Sequence, residues 1–143
     1  MTEIERSALV MFSAEQMFDL VNDVASYPQF LPGCRNAEVL FQDAQTLEAR
    51  LDLTRAGISQ SFVTRNQLQR PQRMTLELVD GPFSEFAGEW QFVPLSDEAC
   101  KVVFSLRFGV QNRLLGAAAG KLFSGIANQM VDAMCQRAQQ VYG

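Results

Sequence analysis

The longest helical pattern in the chain runs from Asn112 to Tyr142. At 100° per residue its apolar side chains fall on one broad side, which predicts an amphipathic helix. That side comprises Leu115, Ala119, Leu122, Phe123, Ile126, Met130, Ala133, Met134 and Val141. We expect Asn112 to cap the helix, since its side chain can accept a hydrogen bond from an unpaired backbone N–H. At about 1.5 Å per residue the helix would be about 45 Å long, enough to cross a small domain.

The N-terminal part predicts one strand followed by two short helices. Residues 3–11 contain β-forming side chains and predict the first strand. Ser13 and Gln16 then form a capping box, which predicts a helix start. The buried side of this helix comprises Met17, Leu20, Val21 and Val24. Pro28 favours the start of a second short helix, and Pro32-Gly33 ends it.

Between Arg35 and Val110 the hydrophobic period changes from helical to two. Six alternating segments predict strands that share one apolar face. Turns separate them at Asp43-Ala44-Gln45, Ala56-Gly57, Arg70-Pro71-Gln72, Asp80-Gly81-Pro82 and Ser96-Asp97-Glu98. Because one apolar sheet face needs a cover, we predict an α+β fold in which a curved antiparallel sheet closes around the C-terminal helix.

Length and composition indicate one cytoplasmic domain. The 143 residues fit a single domain, residues 1–143, large enough for a core without disulfides or metal. No apolar run approaches the roughly 18–20 residues that span a bilayer, so we expect no transmembrane segment. The N-terminus carries early acidic residues and does not resemble a signal peptide. Cys34, Cys100 and Cys135 are odd in number and far apart, which indicates reduced thiols.

Three further features argue against classes of function. The chain has no histidine, which excludes Ser-His and Cys-His catalysis and histidine-ligated zinc. Its formal net charge is −4, which argues against a protein that coats nucleic acid by charge, and we expect no DNA partner. No phosphate-binding glycine loop or Cys-x-x-Cys motif is present, and we expect no metal.

The inner face of the predicted sheet is rich in large apolar side chains, whereas residues 114–120 of the helix are mostly alanine and glycine. Two interpretations remain open. Either the aromatic side chains fill the core, or the small residues leave a cavity for an apolar ligand. In the second case residues 114–120 wall the cavity and the rest of the helix holds the fold together. The ligand-binding residues would be Tyr27, Phe30, Leu31, Leu51, Leu53, Phe62, Met74, Trp90, Phe104, Leu115, Ala119, Leu122, Phe123 and Ile126.

Few polar side chains are candidates for such a cavity. On a strand, alternate side chains face the cavity and the solvent, so the register of each predicted strand decides which polar side chains point inward. An arginine on a strand usually faces solvent. These candidates are Arg6, Arg55, Arg65, Asn66 and Arg107. Tyr27 either sets its hydroxyl at the cavity mouth or packs in the core.

Residues 22–34, NDVASYPQFLPGC, resemble the hallmark of the coenzyme-Q-binding family of START-like (polyketide cyclase/dehydrase type) proteins. Further blocks similar to the family occur in the expected order at residues 13–17, 56–59, 64–68, 78–83 and 94–100. The resemblance covers essentially the whole chain. The combination of blocks is specific, whereas any one of them alone is weak.

The resemblance implies a helix-grip (START-like, Bet v 1-like) fold: a seven-stranded antiparallel sheet around a long C-terminal helix, with two short helices after strand one. It implies a cavity that binds ubiquinone or a similar lipid, a link to respiratory electron transport and transient membrane contact. One branch of the family is described as binding the large ribosomal subunit and blocking its association with the small one. The family shares no catalytic residues, so we expect none here, and no cofactor apart from a bound quinone or lipid.

Three functions follow from these observations. The first is a non-catalytic protein that binds a quinone or lipid. The alternative is a protein that inhibits translation through the large ribosomal subunit, which requires either a basic patch or a contact with a ribosomal protein. Arg50, Arg65, Arg70 and Arg73 would supply the patch if they cluster near strand ends. The third is a polyketide cyclase or aromatase, which without histidine would need arginine, tyrosine or carboxylate chemistry in the cavity.

Overall fold

Seven strands and three helices follow one another in the described part of the chain. The computed structural model describes residues 2–110 and 113–143, and all of their side chains except those of residues 113–117. The elements are β1 (Thr2–Val10), α1 (Ala14–Asn22), a 3-10 helix (Val24–Gln29), β2 (Cys34–Gln42), β3 (Thr46–Arg55), β4 (Ile58–Gln69), β5 (Arg73–Asp80), β6 (Phe83–Ser96), β7 (Ala99–Val110) and α2 (Arg113–Tyr142).

All seven strands form one antiparallel sheet in the order β1-β7-β6-β5-β4-β3-β2. The apolar side chains of β3 to β7 point toward α2, as the alternating pattern predicts. The α+β helix-grip fold, the strand number and the long C-terminal helix are therefore confirmed. The predicted cap, Asn112, lies outside the described residues.

The capping box at the start of α1 is confirmed in both directions. The backbone N–H of Gln16 donates to Ser13 Oγ at 3.1 Å, and the backbone N–H of Ser13 donates to Gln16 Oε1 at 3.0 Å. Both donors would otherwise lack a partner at the helix start. The box therefore fixes where the chain turns from β1 onto the concave face of the sheet.

The second short helix begins earlier than predicted. Pro28 is the fifth residue of the 3-10 helix Val24–Gln29 and does not start it. The physical reason lies at the end of α1, where the carbonyl of Asp23 already accepts the backbone N–H of Ser26 at 3.2 Å. The 3-10 turn thus follows α1 directly, and Gly33, with φ +86°, turns the chain into β2.

The tight turn predicted at Ala56-Gly57 is present between β3 and β4. Both residues have positive φ, +52° and +79°, as in a two-residue type I′ hairpin. Arg55 and Ile58 pair directly across this turn. The hairpin therefore holds Arg55 at the end of the sheet beside α2, where it becomes part of the surface described below.

The C-terminal half of α2 packs against the N-terminal helices. Met134 and Ala138 are fully buried, and the Tyr142 hydroxyl donates to the carbonyl of Gln16 at 2.9 Å. Phe18 of α1 meets Phe92 of β6 edge to face, with ring centroids 5.6 Å apart. Full burial of such side chains contributes about 1.5–3 kcal/mol each. This half of the helix holds the fold together, in agreement with the sequence.

Candidate functional site

An apolar cavity lies between the concave face of the sheet and the middle of α2. Its volume is about 70 Å³. The lining side chains come from the 3-10 helix and the segment after it, from β3 to β7 and from α2. They are Val24, Tyr27, Leu31, Ala49, Leu51, Leu53, Phe62, Thr64, Asn66, Met74, Leu76, Phe83, Phe86, Trp90, Phe104, Leu106, Phe108, Phe123, Ile126, Ala127 and Met130.

Aromatic rings fill most of the space between sheet and helix. The ring centroids of Trp90 and Phe104 are 4.4 Å apart, and those of Phe83 and Phe123 are 4.5 Å apart. Phe62 meets Phe123 edge to face at 5.6 Å. The remaining volume holds several water-sized spheres but falls below the roughly 300–1,000 Å³ of a drug-sized ligand site. The cavity thus accepts a small group as it stands, and a larger ligand only if these rings move.

Ten of the fourteen predicted ligand-binding residues line this cavity. They are Tyr27, Leu31, Leu51, Leu53, Phe62, Met74, Trp90, Phe104, Phe123 and Ile126. Three others, Phe30, Ala119 and Leu122, do not line it, and the side chain of Leu115 lies outside the described residues.

The three exceptions have packing explanations. The ring of Phe30 is half-buried beneath the guanidinium of Arg137, with Cζ 5.2 Å from the ring centroid. Leu122 faces a surface groove beside Arg55. Ala119 is buried one turn before Phe123, whose ring already occupies the space under the sheet.

Among the described side chains of α2, those that line the cavity follow the small-residue segment. Ala118, Ala119 and Gly120 are the members of the small-residue segment whose side chains are described, and none of them lines the cavity. The helix instead contributes the residues between Phe123 and Met130. The side chains of residues 114–117, which complete the predicted wall, lie outside the described residues.

Besides Tyr27, the polar side chains among the described lining residues are two on β4. Thr64 is 6% exposed and Asn66 is 4% exposed. The Asn66 amide nitrogen donates only to Met74 Sδ, at 3.8 Å, and its Oδ1 has no partner among the described residues. The alternation of Phe62, Thr64, Asn66 and Leu68 along β4 is the signal that places Asn66 inside, because residues two apart share a face.

The other polar candidates are not available to a ligand. Tyr27 is buried, and its hydroxyl donates to the carbonyl of Val21 instead of lying free at a cavity mouth. Burial, followed by the charges of Cys34 and Asp23, raises the pKa of Tyr27 well above its ordinary value. The candidate arginines at positions 6, 55, 65 and 107 are all exposed.

The described part of the cavity lining offers no free acid or base. Apart from Tyr27, none of the described lining residues is ionisable. Tyr27 stays protonated because its pKa is raised, so it cannot serve as a base near neutral pH. The arrangement can hold an apolar molecule that forms hydrogen bonds with Asn66 and Thr64.

The arginines expected to form a basic patch are each paired with a carboxylate. Their partners are Asp52 for Arg50 at 3.1 Å, Glu48 for Arg65 at 2.8 Å, Asp19 for Arg70 at 2.8 Å and Glu89 for Arg73 at 2.7 Å. Each pair is close to neutral as a unit, so these four side chains create little positive potential. These four arginines therefore do not supply the free positive charge that the predicted basic patch requires.

A different surface carries positive charge without a carboxylate among its described lining residues. This surface, here called the Arg55–Lys121 groove, is formed by Arg55, Ala56, Ile58, Ala118, Lys121, Leu122 and Gly125. The guanidinium of Arg55 lies on α2 where Gly125 has no side chain, and a Cβ there would overlap it. The β3–β4 hairpin and α2 thus hold two cations at one end of the sheet.

Comparisons with known proteins agree with the sequence resemblance. The profile of the family described as polyketide cyclase / dehydrase and lipid transport matches residues 10–135. The protein named ribosome association toxin RatA, from Escherichia coli strain K12, is 49% identical over 142 residues, which cover 99% of this chain and 90% of that one. The Xenopus laevis protein named coenzyme Q-binding protein COQ10 homolog B, mitochondrial, is 28% identical over 99% of this chain and 59% of its own.

A solved structure matches the whole fold. The Zhui aromatase/cyclase from Streptomyces sp. R1128 superposes with a TM-score of 0.81 at 18% identity, covering 97% of this chain and 94% of that one. At this identity the likeness concerns the fold and not the chemistry. Among the described residues, no helix is long and apolar enough to cross a membrane.

Proposed function

Because the chain belongs to the polyketide cyclase / dehydrase and lipid transport family and is 49% identical to a relative named for ribosome association, we propose that it binds the large ribosomal subunit. In this role it blocks association with the small subunit and inhibits the start of translation. The supporting observation is the 49% identity, which extends over 142 residues. The comparisons favour this function over quinone binding, which the sequence analysis placed first. A cytoplasmic location follows from the proposal.

Local positive charge has to supply the contact with ribosomal RNA. The net charge of −4 gives no general attraction to phosphate, and Arg50, Arg65, Arg70 and Arg73 are occupied by carboxylates. The Arg55–Lys121 groove is the surface that best fits, since its cations have no carboxylate among the described lining residues. We therefore assign the RNA contact to this groove.

Co-sedimentation with purified ribosomal subunits tests the proposal. The full chain should pellet with large subunits and not with small ones, and the bound fraction should fall as salt rises because phosphate contacts are screened. Failure to pellet with large subunits even at low salt would refute the proposal. Equal binding to both subunits would show nonspecific attraction to RNA and would refute it as well.

A second function, binding of an apolar ligand, rests on the cavity. Its lining is apolar apart from Tyr27, Thr64 and Asn66, and a relative is named as a coenzyme Q-binding protein. We propose that the cavity holds the ring end of a quinone or similar lipid, with a link to respiratory electron transport. The two functions are compatible, because a domain with a filled cavity still presents its outer surface to a ribosome.

Native mass spectrometry of freshly purified protein tests this second function. A bound species of quinone or lipid mass, recovered in an organic extract of the same sample, is the expected result. A protein that shows only its own mass, and that takes up no added quinone, would contradict ligand binding. That outcome would leave the ribosome proposal intact.

We propose a non-catalytic role for the cavity. A cyclase or aromatase reaction would need an acid or base at the substrate, and the described lining provides only the protonated, hydrogen-bonded Tyr27. Incubation with a linear polyketide analogue should therefore give no cyclised product above the rate without protein. Cyclisation that Tyr27→Phe abolishes, in a variant that remains folded, would overturn this assignment.

A further inference from the structure

Asn66 is the most unusual group in the cavity, because it is a buried amide whose oxygen has no partner among the described residues. We infer that Asn66 is the polar anchor of the cavity and selects an apolar ligand that carries a hydroxyl group. This inference rests on the second proposed function, ligand binding in the cavity. It adds the chemical class of the ligand and the residue that recognises it.

The unpaired oxygen determines what the ligand must offer. A buried acceptor without a donor is unfavourable, and native proteins rarely retain one unless a ligand or water completes it. Asn66 Oδ1 can only accept, so the ligand must supply an O–H or N–H. A quinone carbonyl or an ether oxygen has no proton to donate, whereas a phenol, an alcohol or a quinol, which is the reduced form of a quinone, has one.

Thr64 strengthens the case for a hydroxyl. It lies two residues from Asn66 on the same face of β4 and also lines the cavity. A hydroxyl both donates and accepts, so one ligand oxygen can donate to Asn66 Oδ1 and accept from Thr64 Oγ1. The only bond that the Asn66 amide nitrogen makes in the described structure is the weak one to Met74 Sδ at 3.8 Å.

The surrounding residues exclude a charged head group. No cationic side chain is among the described residues that line the cavity, so a phosphate or ionised carboxylate would lose its hydration without compensation. The aromatic rings of Phe62, Trp90 and Phe104 suit an apolar ring instead. The volume of about 70 Å³ further favours a small hydroxyl-bearing group at the inner end of the ligand.

Binding of small probes to the full chain tests the inference. Phenol and toluene have nearly the same shape but differ in the hydroxyl, and benzaldehyde carries only an acceptor. Their dissociation constants are measured by NMR titration for the wild type and for Asn66→Leu. We expect the ratio of the phenol constant to the toluene constant to rise about tenfold in the variant, as for loss of one hydrogen bond. The same substitution at exposed Asn128 should leave the ratio unchanged.

The outcomes separate this inference from the function on which it rests. If none of the three probes binds the wild type, ligand binding in the cavity is refuted. If toluene binds but Asn66→Leu leaves the phenol ratio unchanged, the anchor is refuted and the cavity function stands. If Asn66→Leu instead changes the ratio of the benzaldehyde constant to the toluene constant, the ligand group is an acceptor and the hydroxyl assignment is wrong. If Asn66→Leu does not fold, Asn66→Ser provides the same comparison, because the serine side chain is too short to reach the same ligand atom.

Discussion

Gly33 lies directly against Ile126, so that a Cβ on Gly33 would come within 2.8 Å of Ile126 Cδ1. Gly33 is the next-to-last residue of the hallmark segment, residues 22–34, and Ile126 belongs to the part of α2 that lines the cavity. Within the same segment, Gln29 accepts a hydrogen bond from Arg137 of α2 at 3.1 Å. The hallmark segment therefore joins the sheet to the helix and closes one end of the cavity.

Gly33→Ala should destabilise the protein more than the same change at Gly57. Both glycines have positive φ, +86° and +79°, but a Cβ at Gly57 meets nothing within 4 Å. The shared backbone strain costs each variant about 1 kcal/mol, and the clash with Ile126 adds about 1–3 kcal/mol at Gly33. Denaturant unfolding of the two variants measures the difference. If both variants lose the same free energy of unfolding, the predicted clash between a Cβ at position 33 and Ile126 is contradicted.

Asn66→Leu should stabilise the ligand-free protein. The substitution removes a buried amide whose oxygen is unpaired and fills part of the cavity beside it. We expect a gain of about 1 kcal/mol in the free energy of unfolding. Thermal and denaturant unfolding measure this gain. Asn128→Leu, on the exposed side of α2, is the control, and its free energy of unfolding should change little. A clear loss of stability would mean that the Asn66 amide is fully hydrogen-bonded within the folded chain.

The stability of the protein should fall at alkaline pH. Burial is the first cause that raises the pKa of both the Cys34 and Cys100 thiols from 9.0 to about 11. Because the pKa of each thiol is higher in the folded than in the unfolded protein, folding favours the protonated thiols. Their contribution to stability is complete below about pH 9 and is lost as pH rises through about 11. Unfolding under reducing conditions between pH 7 and 11 measures the slope.

A variant with alanine at both thiols provides the control for this prediction. Cys34→Ala with Cys100→Ala should be less stable at neutral pH, because side-chain volume is lost from the core. Its stability should nevertheless decline less steeply above pH 9 than that of the wild type. Identical slopes would show that these thiols do not govern the alkaline transition.

Arg55→Glu should weaken binding to the large ribosomal subunit. Arg55 and Lys121 lie in a groove without a carboxylate among its described lining residues, so reversing one charge there opposes RNA phosphate. We expect about a tenfold loss of affinity at low salt, measured by co-sedimentation. Arg65→Glu makes the same change of net charge at an arginine already paired with Glu48, and it should have a much smaller effect. Equal effects would contradict the assignment of the groove.

Much of the fold could be predicted from the sequence, because alternation and turn residues are local signals. The capping box at Ser13 and the hairpin at Ala56-Gly57 are examples, since their geometry depends on neighbouring residues alone. The cavity was harder, because free space depends on how side chains from distant strands meet. Phe123 shows this, since its ring meets rings of β4 and β6 and occupies the space beside Ala119 under the sheet.

The charges of the surface were predicted least well. Arg50, Arg65, Arg70 and Arg73 look like a basic group along the sequence, but strand register and α1 bring a carboxylate to three of them from elsewhere in the chain. Arg55 and Lys121 are far apart in sequence and share a groove only because the hairpin meets α2. Cross-strand and helix–sheet pairing of this kind follows from tertiary structure and not from local pattern.

Light scattering during the joining of purified ribosomal subunits tests the central claim most directly. Added to large subunits before small ones, the full chain should reduce the formation of complete ribosomes in proportion to its concentration. Asn66→Leu should act like the wild type in this assay, because its change lies inside the cavity. Unchanged joining at a several-fold molar excess of the wild type would contradict the proposed function.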